Sequence, residues 1–161
     1  MAKSKQPKKA STSNIVFVGV AFVLLVLSCV GLFLTFLTKD LGKYLDPINI
    51  GLFDFADGDG SKPLGVCCIL FAIITLILMI ATFVLTCLKF TKVKINGLFE
   101  KLVCIITALF AVITLVLILG FRTDISKIFT EAKLEGYLLG VGAYLFTIPA
   151  ILQGVVCVFN K

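Results

Sequence analysis

Apolar residues dominate this chain in four uninterrupted stretches, Ile15–Leu37, Leu64–Leu88, Leu102–Phe121 and Gly136–Phe159, none of which contains an Asp, Glu, Lys, Arg or His. An α-helix rises about 1.5 Å per residue and the hydrocarbon core of a bilayer is roughly 30 Å thick, so about 20 such residues suffice to cross it. The pattern predicts an all-α membrane protein with four transmembrane helices at 15–37, 64–88, 102–121 and 136–159. They form one domain over 15–161, preceded by a polar tail at 1–14.

Small and weakly polar residues recur within these stretches in alternating steps of four and three. In the fourth they fall at Gly136, Gly140, Ala143, Thr147, Ala150, Gly154 and Cys157. The second has Gly65, Cys68, Ala72, Thr75, Met79, Thr82 and Thr86, and the third has Cys104, Thr107, Ala111 and Thr114. The first gives a weaker series, Ala21, Ser28, Gly31 and Thr35. Lipid tails are as apolar as leucine, so helices in a bilayer associate through close backbone approach and hydrogen bonds, which small residues permit. A mean step of 3.5 residues matches a left-handed, coiled-coil-like seam. The expectation is a left-handed four-helix bundle with Gly136, Gly140, Ala143, Thr147, Ala150 and Gly154 as a packing face. Gly19, Ala81, Ala108, Gly120 and Gly142 fall off the stripes.

A net charge of +6 would suggest nucleic acid in a soluble protein, but its distribution points to membrane topology instead. Lys3, Lys5, Lys8 and Lys9 precede the first helix without an acid, and Lys89, Lys92, Lys94 and Lys101 face only Glu100 in the middle loop. The first loop is acidic, with Asp40, Asp46, Asp54, Asp57 and Asp59 exceeding Lys39, Lys43 and Lys62, and the third connection is balanced. Cytoplasmic loops retain the excess of Lys and Arg, so both termini and the middle loop are expected in the cytoplasm. The tail is too polar to pack and is expected to be disordered, its four lysines setting topology and attracting anionic lipid. The first apolar run is too long for a cleaved signal and lacks a small-x-small cleavage site.

The six cysteines all lie in or at the ends of spans, so no disulfide framework holds the outer loops, and no Cys-x-x-Cys motif occurs. With no His and no second cysteine cluster, no metal site is expected. Cys87 and Cys157, at the inner ends of their helices, are candidates for reversible acylation. Membrane-embedded ionisable groups, which mark proton relays and ion paths, do not occur in the four stretches. Gln153, one turn beyond Pro149, reads as an interhelical hydrogen-bonding group. Asp57-Gly58-Asp59-Gly60-Ser61 begins like a calcium loop, but Lys62 and Cys68 stand where its glycine and glutamate belong. No catalytic constellation and no cofactor motif is present in the loops, and the chain is expected not to be an enzyme.

Two outer pieces carry structure. Ile48–Phe55 is apolar and partly β-like, offering Phe53, Asp54 and Phe55 as outer-loop contacts. Thr123–Leu134 places Ile125, Ile128, Phe129 and Ala132 on one face of an amphipathic helix.

With this topology, a larger first outer loop, Gly51-Leu52-Phe53 in place of a Gly-Leu-Trp motif, and Leu134-Glu135-Gly136-Tyr137 leading into Gly142-Ala143-Tyr144-Leu145, the chain resembles the claudin and peripheral myelin protein class of four-span proteins. MARVEL-type four-span proteins share the topology. The resemblance implies the four-helix bundle and acylation at Cys87 and Cys157. It departs from the class in lacking the first-loop Trp and disulfide cysteines, which removes the expectation of a barrier or paracellular pore. The function expected is that of a non-enzymatic membrane scaffold or accessory subunit, in the plasma membrane, contacting lipid and other membrane proteins or further copies of itself. The alternative is a small transporter or channel subunit, oligomeric in form.

Overall fold

A computed structural model describes residues 12–41, 46–57, 62–88, 96–130 and 137–159, the side chains of 12–14 and 127–130 excepted. Among them are four long helices, α1 (Thr12–Leu32), α2 (Lys62–Leu88), α3 (Gly97–Thr130) and α4 (Val141–Phe159), each long and apolar enough to cross a membrane. The architecture is that of an all-α, multi-pass membrane protein. The helices close into a ring in chain order, with α1 packed on α2 and α4, α3 packed on α2 and α4, and α2 also touching α4 across the middle.

One end of the ring carries a small cap. Strands β1 (Thr35–Lys39), β2 (Ile48–Gly51) and β3 (Leu138–Leu139) form an antiparallel sheet in the order β2-β1-β3, and a 3-10 helix at Phe53–Ala56 follows β2. This corrects the expected limits of three spans. The first apolar run is not helical through Leu37: α1 stops at Leu32, its end tightened by bonds from Phe33 N to Val30 O and from Leu34 N to Gly31 O, and the remainder becomes β1. At 21 residues α1 is already about 31 Å long, so the bilayer needs no more of it. The fourth helix begins at Val141, because Leu138 and Leu139 are taken up by β3; Gly136 lies outside the described residues.

The third correction concerns Thr123–Leu134, which does not begin a separate amphipathic helix. α3 runs unbroken through Phe121 and Arg122 to Thr130, 34 residues or about 51 Å, and so overshoots the hydrocarbon core by several turns. That overshoot builds the cap. Phe121 and Ile125, on its projecting end, are buried with Phe36, Leu37, Leu52, Phe55, Tyr137 and Phe146 in one continuous core. A bulge in β1, where the register shifts between Thr35 and Leu37, turns the adjacent residues Phe36 and Leu37 both inward. The extra residue abolishes the alternation by which a half-buried strand is ordinarily recognised.

Candidate functional site

Two arrangements could carry function: the cap and the polar seam inside the bundle. In the cap, the ring of Phe55 stacks on Phe121 with centroids 4.3 Å apart, and Phe36 stands edge-on to Phe55 at 6.2 Å. Aromatic pairs in these geometries contribute about 0.5–1.5 kcal/mol beyond their buried area. Asp54 Oδ2 accepts the Gly51 N–H at 2.8 Å, fixing the turn from β2 into the 3-10 helix. The approach to β3 is clamped by α3: Arg122 Nε donates to Tyr137 O, and Tyr137 N donates to Ser126 Oγ at 3.3 Å. Lys39 is buried at the end of β1, with its Nζ 5.4 Å from the centroid of the Tyr137 ring. This is cation–π range.

The outward side of the cap is apolar in patches. Phe33, Phe53, Leu138 and Val141 are exposed. An open groove of about 470 Å³ runs beside the sheet, its lining including Thr35, Thr38, Asn49, Leu139, Gly140 and Val141. Thr38 Oγ1 donates to Asn49 Oδ1 at 3.0 Å across the two paired strands.

The seam is built from the small-residue stripes. Thr75 of α2 meets Thr114 of α3 at 3.0 Å, and Thr82 meets Thr107 at 3.0 Å. Each of these hydroxyls also lies within 2.9 Å of a carbonyl one turn back on its own helix. A hydroxyl has one proton, so Thr75–Thr114 has two protons for three contacts and Thr82–Thr107, where Thr107 Oγ1 also lies 3.5 Å from Leu78 O, has two for four, and the hydrogen bonds are shared among them. Ser28 of α1 donates to Phe146 O of α4 at 3.0 Å, and Gln153 Nε2 of α4 donates to Met79 O of α2 at 2.9 Å. Gln153 is thus an interhelical tie. Among the described residues no cluster of Cys, Asp or Glu could hold a metal ion.

The sequence-predicted residues are distributed between these two places. Ala143, Thr147, Ala150 and Gly154 face the interior of the bundle. A Cβ at Gly154 would lie 2.7 Å from Cys104 O and 2.8 Å from Ala108 N, so α3 and α4 meet backbone to backbone there. Gly140 serves a different contact from the one expected: it precedes α4, its N–H donates to Phe36 O at 2.8 Å, and a Cβ would lie 2.3 Å from Thr35 O of β1. Gly142, off the stripe in sequence, is also a packing residue, since its Cβ would meet Leu34 O at 2.7 Å and Gly31 O at 2.8 Å.

Of the outer-loop trio only Phe53 presents its ring outward. Phe55 is fully buried, which corrects its assignment as a surface contact, and Asp54 is engaged with Gly51. Cys157 is also corrected as an acylation candidate: it is 3 % exposed and its sulfur lies 3.7 Å from Thr86 Oγ1, inside the seam, whereas Cys87 is half-buried. Lys3, Lys5, Lys8 and Lys9 lie outside the described residues. Sequence reasoning missed the Arg122–Ser126 clamp on Tyr137, for which spacing gives no signal. It also missed β1, whose Thr-Phe-Leu-Thr composition favours a strand.

The chain matches no family model and no curated protein.

Proposed function

We propose that this protein is a non-enzymatic membrane scaffold or accessory subunit, claudin-like in topology, that acts through its outer cap and its lipid-facing helices. The observation that carries the reading is the division of labour in the fold. The interior is closed by backbone contacts at Gly31, Gly142 and Gly154 and by paired threonines, while the apolar side chains left exposed at the cap, Phe33, Phe53 and Leu138, face outward. A contact surface on a rigid frame suits the binding of a partner protein or lipid better than the passage of a solute. In this reading the helices cross with a left-handed twist, both termini and the loop between α2 and α3 face the cytoplasm, and the cap lies outside, in the plasma membrane. The lysine excess of the tail and the middle loop supports that orientation.

Purification of the tagged full chain from its native membrane should recover a larger membrane protein in fixed stoichiometry, and Phe53→Ala with Leu138→Ala should lower that recovery at least several-fold while leaving the melting temperature unchanged. The same chain alone in liposomes should not carry protons or cations down a gradient. Gradient-driven flux by the purified chain, abolished by Thr107→Val, would overturn the reading in favour of transport.

Orientation has its own measurement. Cysteines introduced at Ser61 and Ser126 in a background lacking the six native ones should react with an impermeant maleimide on intact cells. One at Asn96 should react only after permeabilisation. Labelling of Asn96 from outside would reverse the topology.

A further inference from the structure

Gln153 is fully buried between α4 and α2, and although its Nε2 donates to Met79 O, its Oε1 has no hydrogen-bond partner among the described residues. A buried amide oxygen without a donor bears the full cost of its desolvation. Turning the amide over gives no relief, because the oxygen would then face the carbonyl of Met79. The hydroxyls that follow Met79 along α2, Thr82 and Thr86, each have a carbonyl partner one turn back on their own helix. Thr107 likewise lies beside Val103 O and Leu78 O, so the Thr82–Thr107 pair holds two protons for four contacts. Backbone N–H groups along the helices are committed to their own ladders.

We propose that an internal water molecule is bound at Gln153, donating one proton to Oε1. The occupant has to be small, neutral and a donor. A cation is disfavoured inside a membrane span, where charge is expensive and a single amide oxygen does not repay it. An anion would face the same cost, and Oε1 would repel it. Water meets the requirement and brings a second proton and an accepting oxygen. Buried waters typically make about three hydrogen bonds. The remaining Nε2 proton of Gln153 and the proton-short pair Thr82–Thr107, which lies one turn along α2 from Met79, supply the chemistry for the others. In this arrangement the water completes the tie between α2, α3 and α4.

The test uses the full chain in lipid nanodiscs. Gln6 and Gln153 are its only glutamines, so selective labelling with 15N-glutamine gives two side-chain amide signals, which Gln6→Asn assigns. Gln153 should show cross-relaxation with water, persisting in Thr82→Val and Thr107→Val, in which those two hydroxyls cannot relay magnetisation. A structure at a resolution that shows ordered solvent should place a water at hydrogen-bonding distance from Oε1, and the peak should vanish in Gln153→Met. Absence of the water peak in the parent protein, absence of its cross-relaxation, or a side-chain hydroxyl or thiol found on Oε1 in its place would each overturn the proposal. The two parent-protein measurements decide the matter even where a variant fails to fold.

Discussion

Replacing Gly65 with alanine should release the cap from the bundle. Gly65 lies in the first turn of α2, and a Cβ built there would stand 2.0 Å from Phe55 O, 2.8 Å from Phe55 C and 3.2 Å from the Phe121 ring. Carbon and carbonyl oxygen approach no closer than roughly 3.3 Å even in favourable Cα–H···O contacts. The obstruction is backbone, held in the 3-10 helix by the bonds from Phe55 N to Leu52 O and from Asp57 N to Asp54 O, so no rotamer change relieves it. Either the 3-10 helix lifts and takes Phe55 off Phe121, or α2 shifts. Overpacking of this kind costs about 1–3 kcal/mol and more when backbone must move, so about 3 kcal/mol is expected here. Local opening on that scale makes amide exchange about a hundredfold faster. Hydrogen exchange should therefore accelerate by about that factor at the paired amides of β1 and β2 while the middle of α2 and α3 keeps its protection. Exchange at the sheet indistinguishable from the parent would show that the close packing of Phe55 on α2 is wrong.

Gly154→Ala should weaken the bundle itself. The added Cβ would press on Cys104 O, Ala108 N and the Ala108 side chain at 2.7–2.8 Å, forcing α4 away from α3 just where Gln153 ties it to α2. An interhelical contact in lipid gains no hydrophobic drive to offset the lost packing, so separation by even a fraction of an ångström forfeits dispersion and strains the Gln153–Met79 bond. A loss of about 3 kcal/mol corresponds to a fall of about 6–12 °C in melting temperature for a domain of this size. Gly19→Ala is the matched comparison, since a Cβ there meets nothing within 4 Å. It removes a helix-interior glycine and should leave the melting temperature unchanged or raise it, by up to about 1 kcal/mol of stability. Of the two alanine variants, only Gly154→Ala should therefore lower the melting temperature. A parent-like melt for Gly154→Ala would mean that α3 and α4 do not meet there.

What the sequence determined by itself was the set of helices and, for two of them, the buried face. The stripe Gly65, Cys68, Ala72, Thr75, Met79, Thr82 and Thr86 is the buried side of α2, and Cys104, Thr107, Ala111 and Thr114 are likewise buried on α3. Both were legible because helical periodicity is local and, in lipid, the contrast that marks an inward face is side-chain size rather than polarity. The same contrast missed Ala108 and Gly142, whose roles depend on where a neighbouring helix crosses, at Gly154 and Gly31 respectively.

Only the tertiary structure decided where an apolar run stops being helix. Thr35–Leu37 and Leu138–Leu139 belong by hydropathy to apolar runs long enough for a membrane helix, and they become strands because their segments pair, Leu37 with Leu139 and Thr38 with Leu138, across about a hundred positions of chain. Phe36, Phe55, Phe121 and Phe146 likewise come from four separate segments to make one aromatic core. Hydropathy counts what each residue prefers to leave, which is water. It does not record which distant segment will receive it, and at the cap the receiving segment turned Phe55 from an outer contact into a core residue and Leu138–Leu139 from helix into strand.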